Sequence, residues 1–199
     1  MKILALSDEK AKYLYDFYQP GRLKDYDLIL SCGDLNKKYL EFIVTMARCP
    51  VLYVHGNHDD RLIDDPPEGC DCIDGKLITY KGVRILGLGG SYRYNDGKNM
   101  YTEREMEWRI WKMLPKLWKS KGFDILVTHA PARNVHDFDN LTHRGFECFR
   151  NLMEKYEPKY FVHGHIHRNY GVDIPQKSRF GETTVINAYE YCSFEYEER

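Results

Sequence analysis

No stretch of the chain approaches the ~18 consecutive apolar residues that a membrane-spanning helix requires. The apolar run at the N-terminus stops at Asp8, too short for the core of a secretory leader. An excess of positive charge is missing too: 29 Lys and Arg stand against 30 Asp and Glu, leaving a net charge of −1. That balance argues against nucleic acid or an anionic membrane as partner. The six cysteines show no disulfide framework. Cys32, Cys49, Cys148 and Cys192 are scattered, mostly among apolar neighbours, and read as reduced, packed thiols. Cys70 and Cys72 form a C-x-C pair without the second pair that a zinc knuckle needs. Internal repeats, long linkers and low-complexity segments are absent as well, so residues 1–199 read as one domain. Together these absences lead to the expectation of a cytoplasmic protein.

Histidine is absent from long stretches and crowded elsewhere. None of the eight precedes residue 55, and none lies between 59 and 128. They sit at 55 and 58, at 129, 136 and 143, and at 163, 165 and 167. Histidine ligates metals and carries protons, so its clustering marks where chemistry belongs.

Short apolar runs alternate with helical patterns. Residues 2–6, 27–31 and 51–54 read as buried strands, with helical spacing over 10–18 and 36–48 between them. This alternation implies a parallel sheet with helices packed on it. Residues 77–80 and 83–88 then read as a hairpin turning at Lys81-Gly82. An amphipathic helix is expected over 102–119, capped at Thr102, with Pro115 ending or kinking it. A strand at 124–128, a helix at 143–156, and strands at 159–163 and 183–187 complete the pattern. The mixture suggests two packed mixed sheets with helices outside.

Each polar cluster follows the C-terminal end of an expected strand, the edge where open α/β sheets bind ligands. The clusters are Asp8, Gly33-Asp34, Gly56-Asn57-His58-Asp59, Thr128-His129-Ala130-Pro131 and Gly164-His165-Ile166-His167. His165 and His167 are two apart and share a side of an extended chain. Two carboxylates, an amide oxygen and three imidazoles suit Mn, Fe, Ni, Co or Zn better than Ca or Mg.

In order, these blocks resemble the D-x-H, G-D, G-N-H-[DE], H and G-H-x-H signature of the calcineurin-like metallophosphoesterase superfamily. The tail, Gly164 to Gly171 followed by Thr183 to Ala188, is similar to its small single-domain members, which include phosphodiesterases. The resemblance implies an α/β protein: a four-layer α/β-β/α sandwich with two mixed β-sheets flanked by helices. It implies one or two divalent transition metals. Asp34 would bridge them, with Asn57, His129 and His165 completing one site and Asp8 and His167 belonging to the other. His58 would be the catalytic imidazole beside the scissile group, with Asp59 available to orient it. The implied activity is hydrolysis of a phosphomonoester or phosphodiester of small size by a metal-activated water. A pair of ions roughly 3.5–4 Å apart can clamp both the attacking and the departing oxygen.

One block departs from the signature. The D-x-H histidine is Lys10. Glu9 supplying an oxygen, water filling the position, and the Lys10 ammonium replacing part of the metal's charge are three alternatives. A weakened first site opens a second reading, a metal-binding interaction module with little catalysis; an intact His58 argues for the enzyme. The remaining histidines have plainer expectations. His55 and His163 read as packed, and His136 as solvated or at the pocket rim. His143 resembles an H-x-G element of the small members and is a candidate substrate-binding residue. Tyr92, Tyr94 and Tyr101 flank the glycine-rich loop and could stack on a leaving group. Lys112, Lys116, Lys119 and Lys121 read as a solvated helix end.

Overall fold

Strict alternation along β1 (Lys2–Ser7) sets the layering. Ile3 and Ala5 point into one apolar cluster, Leu4 and Leu6 into another, as the two-residue period of a strand requires. The computed structural model describes residues 1–169 and 175–197. In the first sheet β1 is joined by β2 (Leu28–Ser31), β3 (Val51–Tyr53) and β4 (Cys70–Cys72), all parallel. The second sheet holds β5 (Lys76–Tyr80), β6 (Val83–Leu88), β9 (Ile125–Thr128), β10 (Tyr160–His163), β11 (Lys177–Phe180) and β12 (Thr183–Asn187). Its order is β11-β12-β10-β9-β6-β5, with antiparallel strands at both edges. A short pair, β7 (Ser91–Tyr92) and β8 (Met100–Tyr101), stands apart. The final strand, β13 (Glu190–Glu195), returns to the first sheet and pairs antiparallel with β1 from Lys2↔Glu195 to Ser7↔Glu190.

Three clusters of buried side chains make four layers. Ile3 and Leu30 of the first sheet meet Ile85, Val127 and Val162 of the second. The outer face of the first sheet packs Leu4, Ile29 and Val51 against Tyr39, Leu40 and Ile43 of α1 (Lys37–Met46). The outer face of the second packs Leu86, Leu126 and Phe161 against α3 (Glu103–Ser120) and α4 (Glu147–Tyr156). The expected α/β-β/α sandwich with two mixed sheets is therefore the observed fold.

The hairpin turns as expected: Lys81 and Gly82 both have positive φ, at 45° and 82°. Helix α3 opens on a complete capping box between Thr102 and Glu105. Three local expectations are corrected. Residues 10–18 form successive turns rather than a helix. Ala11 and Leu14 do bury, but the Arg22 guanidinium donates to the carbonyls of Tyr13 and Phe17, and a helix over 10–18 would have used that of Tyr13. Helix α4 begins at Glu147, not 143, because the preceding residues bond elsewhere. The His143 N–H donates to Asn140, Gly145 N–H to Asp137, and Phe146 N–H to the Pro131 carbonyl. Its first turn is capped from α3, where the Glu103 carboxylate accepts the Cys148 N–H at 2.8 Å. Finally, α3 spans Glu103–Ser120, close to the expected 102–119, and of the two effects expected of Pro115 the ending does not occur. The expected strands omitted β4, the β7–β8 pair, β11 and β13, and a short helix, α2 (Asp60–Asp64), was also missed.

Pro115 sits on the exposed side of α3 and removes the N–H that would bond the Trp111 carbonyl. Pro115→Ala is expected to raise stability by roughly 1–3 kcal/mol, read as a higher urea midpoint at unchanged m-value. An unchanged or lower midpoint contradicts it.

Candidate metal centre and active site

Parallel pairing brings the C-terminal ends of β1, β2, β3, β9 and β10 to one edge, and the loops beyond them interlock. Asp8 N–H donates to the Gly33 carbonyl, and Gly164 N–H to that of His129. The His165 N–H donates to the Asp8 carboxylate at 3.0 Å, joining the two sheets. Asp8, Asp34 and His165 all hold left-handed backbone, with φ of 65°, 57° and 65°. Such conformations are uncommon outside glycine and gather at functional sites. Gly33, at φ 93°, and Gly56 permit this crowding. A Cβ on Gly56 would lie 2.1 Å from Asp34 Oδ1, and one on Gly33 would lie 2.4 Å from the Gly56 nitrogen.

The centre is the fully buried ring of His129. Its Nδ1 lies 2.7 Å from the Cys32 carbonyl, which can only accept, so Nδ1 carries a hydrogen. Its Nε2 faces Asn57 Oδ1 at 2.9 Å, His165 Nδ1 at 3.1 Å and Asp34 Oδ2 at 3.3 Å. Each of these neighbours is held so that it offers a lone pair. Asn57 Nδ2 donates to the Tyr94 hydroxyl, turning Oδ1 inward. His165 Nε2 lies 2.7 Å from the Thr142 carbonyl and donates there, leaving Nδ1 free to accept. Asp34 Oδ1 receives the His58 N–H, leaving Oδ2. Ligand atoms of Asp34, His129 and His165 lie within 4.8 Å of one another. Among the described residues this is the single such group of three from histidine, cysteine and carboxylates.

Converging lone pairs define a place for a cation, and the charges respond accordingly. Burial opposes a charge on His129, but the Asp34 carboxylate outweighs it and raises the ring to about 9. Burial likewise opposes ionisation of Asp34, yet His129 holds it down at about 2. Burial, with the charge on His129, lowers His165 to about 3. A proton therefore occupies His129 Nε2 in the metal-free protein at neutral pH. A divalent transition metal fits the same set of nitrogen and oxygen donors.

The other expected residues fall into distinct places. Asp8 and His167 are neighbours, with His167 Nε2 3.6 Å from Asp8 Oδ1, and lie outside the tight triad. The Asp8 carboxylate beside it raises the His167 pKa. His58 is exposed, and among the described residues its ring has no hydrogen-bond partner. Asp59 does not orient it. The Asp59 carboxylate instead receives the N–H groups of Gly56 and Asp34 at 2.7 and 2.8 Å, tying two loops together. Burial, then the Asp34 charge, raises Asp59 to about 6. His143 stands at the edge of the site, its ring 5.5 Å from that of His165. Lys10 has turned away, its ammonium 4.6 Å over the Tyr15 ring, so it does not replace a metal's charge.

His55 packs against Asp74, and His163 is fully buried. His136 is half-buried rather than solvated: its Nδ1 meets His163 Nε2 at 2.9 Å and its Nε2 meets Ser178 Oγ at 2.7 Å. Of the three tyrosines, Tyr94 reaches the site, whereas Tyr92 packs on Phe146 and Tyr101 on Arg109. The carbonyls of Cys32 and Thr142, which orient both imidazoles, went unseen in the sequence. A backbone carbonyl leaves no residue-type signal, so only the fold reveals them. Tyr189, whose ring lies 4.9 Å from that of His167, was missed too. It stands two residues after Asn187, the last residue of β12, a position that could have flagged it.

The calcineurin-like phosphoesterase family model matches residues 1–169, and the chain belongs to that family. A UPF0046 protein of Caenorhabditis elegans is 28% identical, over 94% of this chain and 69% of its own length. The human metallophosphoesterase domain-containing protein 1 is 27% identical over 64% of this chain, which spans only 37% of that relative. Among solved structures, TT1561 of Thermus thermophilus superposes with a TM-score of 0.60 at 15% identity, covering 95% of this chain and 89% of its own. A 5'-nucleotidase from Candida albicans gives 0.53 at 15% identity, covering 94% of this chain and 44% of its own. At such identities these two likenesses show the fold alone.

The proton on His129 predicts how metal uptake depends on pH. Asp34 is already ionised and His165 already neutral at pH 7, so only His129 must lose a proton. Binding of Zn or Mn to metal-free protein should release about one proton per ion at pH 7, and apparent affinity should fall about tenfold per pH unit below 9. Calorimetry in buffers of different ionisation enthalpy measures this. Uptake without proton release would contradict the assignment.

Proposed function

We propose that the chain is a metal-dependent phosphoric ester hydrolase acting on small phosphomonoesters or phosphodiesters. The observation that carries this reading is the His129 Nε2 position, where Asn57, Asp34 and His165 all present lone pairs to one point. Asp34, Asn57, His129 and His165 would hold one divalent ion, of Mn, Fe, Ni, Co or Zn, and Asp8 and His167, beside Asp34, a second. Such ions supply Lewis acidity and activate water at neutral pH.

The chain's own residues supply the rest. His58 is anchored through its backbone N–H to Asp34 Oδ1 at 2.8 Å while its ring stays exposed. In this reading it would protonate a leaving oxygen or stabilise developing charge on the phosphoryl group. Such general acid catalysis contributes about 10²–10⁴-fold. Tyr94 fixes the Asn57 amide, and the Cys32 and Thr142 carbonyls fix the two imidazoles, so the donors are oriented before any ion arrives. His143 would meet a phosphoryl oxygen at the rim. Likeness to the small phosphodiesterase-like members of the superfamily supports a diester over a monoester.

The test is stripped protein reloaded separately with Mn, Fe, Ni, Co or Zn, assayed on p-nitrophenyl phosphate and bis(p-nitrophenyl) phosphate. Turnover should depend on metal and fall by about 10²–10⁴-fold in His58→Ala, with metal content unchanged. If no metal raises wild-type turnover above that of His58→Ala, the chain is a metal-binding interaction module instead.

A further inference from the structure

The chain has three tryptophans, and Trp108, Trp111 and Trp118 all lie on the outward side of α3. They are 54%, 59% and 85% exposed, although exposure of so large an apolar ring is unfavourable in water. The opposite side of the helix buries Met106, Ile110, Met113 and Leu117 against the second sheet. Trp108 and Trp111 stack at 4.9 Å with their planes 7° apart. Trp111, Leu114, Pro115 and Trp118 line a solvent-open groove beside them.

Charge on this face is mostly of one sign, with Glu107, exposed one turn before Trp111, as the acidic exception. From Trp108 to Lys121 the helix carries no Asp or Glu. Arg109 turns inward to the Asp74 carboxylate, but Lys112, Lys116, Lys119 and Lys121 are exposed. None of these four lysines forms an ion pair among the described residues. The net charge of −1 averages this basic face with acidic segments elsewhere, such as Asp59 to Asp65.

We propose that the outward face of α3 docks on an anionic lipid surface. Indole rings, apolar in body with one N–H at the edge, settle at the headgroup boundary. Lysines beside them are attracted to anionic headgroups while their stems cover apolar surface. Helices that lie in a membrane interface combine these two residue types. A protein partner fits less well, since lysine is depleted at the centre of protein–protein interfaces. The topology suits docking. Helix α3 ends at Ser120 and β9 starts at Ile125, so the Trp118 end lies opposite the strand ends that carry His129. The phosphoesterase site stays open to substrate while the face is occupied.

Intrinsic fluorescence tests this directly, because every tryptophan of the chain is on the proposed face. The full chain is titrated with phosphatidylcholine vesicles and with vesicles containing phosphatidylserine, plain or with brominated acyl chains. Mixed vesicles should shift the emission to the blue, brominated chains should quench it, and phosphatidylcholine alone should do neither. Lys116→Gln should lower the partition coefficient about fivefold. The triple variant Lys112→Glu, Lys116→Glu, Lys119→Glu should abolish binding while circular dichroism stays unchanged. Failure of wild type to respond to phosphatidylserine, an equal response to phosphatidylcholine, or binding that survives the triple variant each overturns the proposal. So does a blue shift with poly-glutamate but not with vesicles, which would point to an acidic protein. Turnover enters none of these readouts.

Discussion

The hydrogen bond from His129 Nδ1 to the Cys32 carbonyl governs the rest of the site. It crosses from the end of β9 in the second sheet to the end of β2 in the first, at 2.7 Å between buried partners. It commits Nδ1 to the Cys32 carbonyl, and so leaves Nε2 as the atom that faces Asp34, Asn57 and His165. It also sets how closely the two sheets approach at this edge. An imidazole whose tautomer were free could not serve as the common neighbour of three acceptors. Because the interior is apolar, the arrangement is stable only when a cation, whether proton or metal, sits at its centre. The raised pKa of His129 and the lowered pKa of Asp34 are two views of that one requirement.

Such crowding has a conformational price, carried by the residues flanking the ligands. Gly33 and Gly56 meet backbone to backbone, and Gly164 would drive a Cβ to 1.8 Å from Ser7 Oγ. The glycines of the motif blocks are therefore steric conditions for bringing three loops together, and the candidate metal-binding residues are their neighbours as a consequence. Asp8, Asp34 and His165 accept left-handed backbone at the same turns. Asp59 closes the system from beneath by receiving two N–H groups, one from each of two loops. Its value to the site is structural, through the loops it joins, since His58 stands clear of it.

Much of this was legible in the residues because motif chemistry and strand ends coincide. Asp34, Asn57, His129 and His165 come together as the block order implied, and the sandwich follows from alternation along strands such as β1. What escaped detection shares a cause: it depends on partners outside the segment whose pattern was read. Residues 10–18 have helical spacing, yet Arg22 takes their carbonyls. Strand β13 has only Cys192 and Phe194 to bury, a pattern too sparse to stand out until β1 is beside it. His136 looked solvated among acidic neighbours, but its partners His163 and Ser178 lie 27 and 42 residues away. The outward face of α3 was partly visible as a basic helix end; its tryptophans acquire meaning only once the inward face is known.

The two halves of the site are unequal, and Lys10 is the reason. Around His129 four donors are oriented in advance by carbonyls, a hydroxyl and a backbone N–H. Around Asp8 there is less. Its carboxylate receives the His165 N–H and leans on His167, and the position of the missing histidine supplies nothing inward. The Lys10 stem runs outward, its ammonium resting on Tyr15, while Glu9 acts on Tyr189, whose hydroxyl burial and then Glu9 push up to about 12. Lys10 does not turn back towards Asp8, whereas the Glu9 carboxylate lies on the Asp8 side, where it also helps to raise the neighbouring His167. An ion held there would draw on Asp8 and His167, with no donor from the Lys10 position. Exchange at that position would be correspondingly easier, because an ion held by fewer fixed ligands loses less when one lets go. The donors around His129 are thus fixed from both sheets, whereas those beside Asp8 have fewer fixed neighbours.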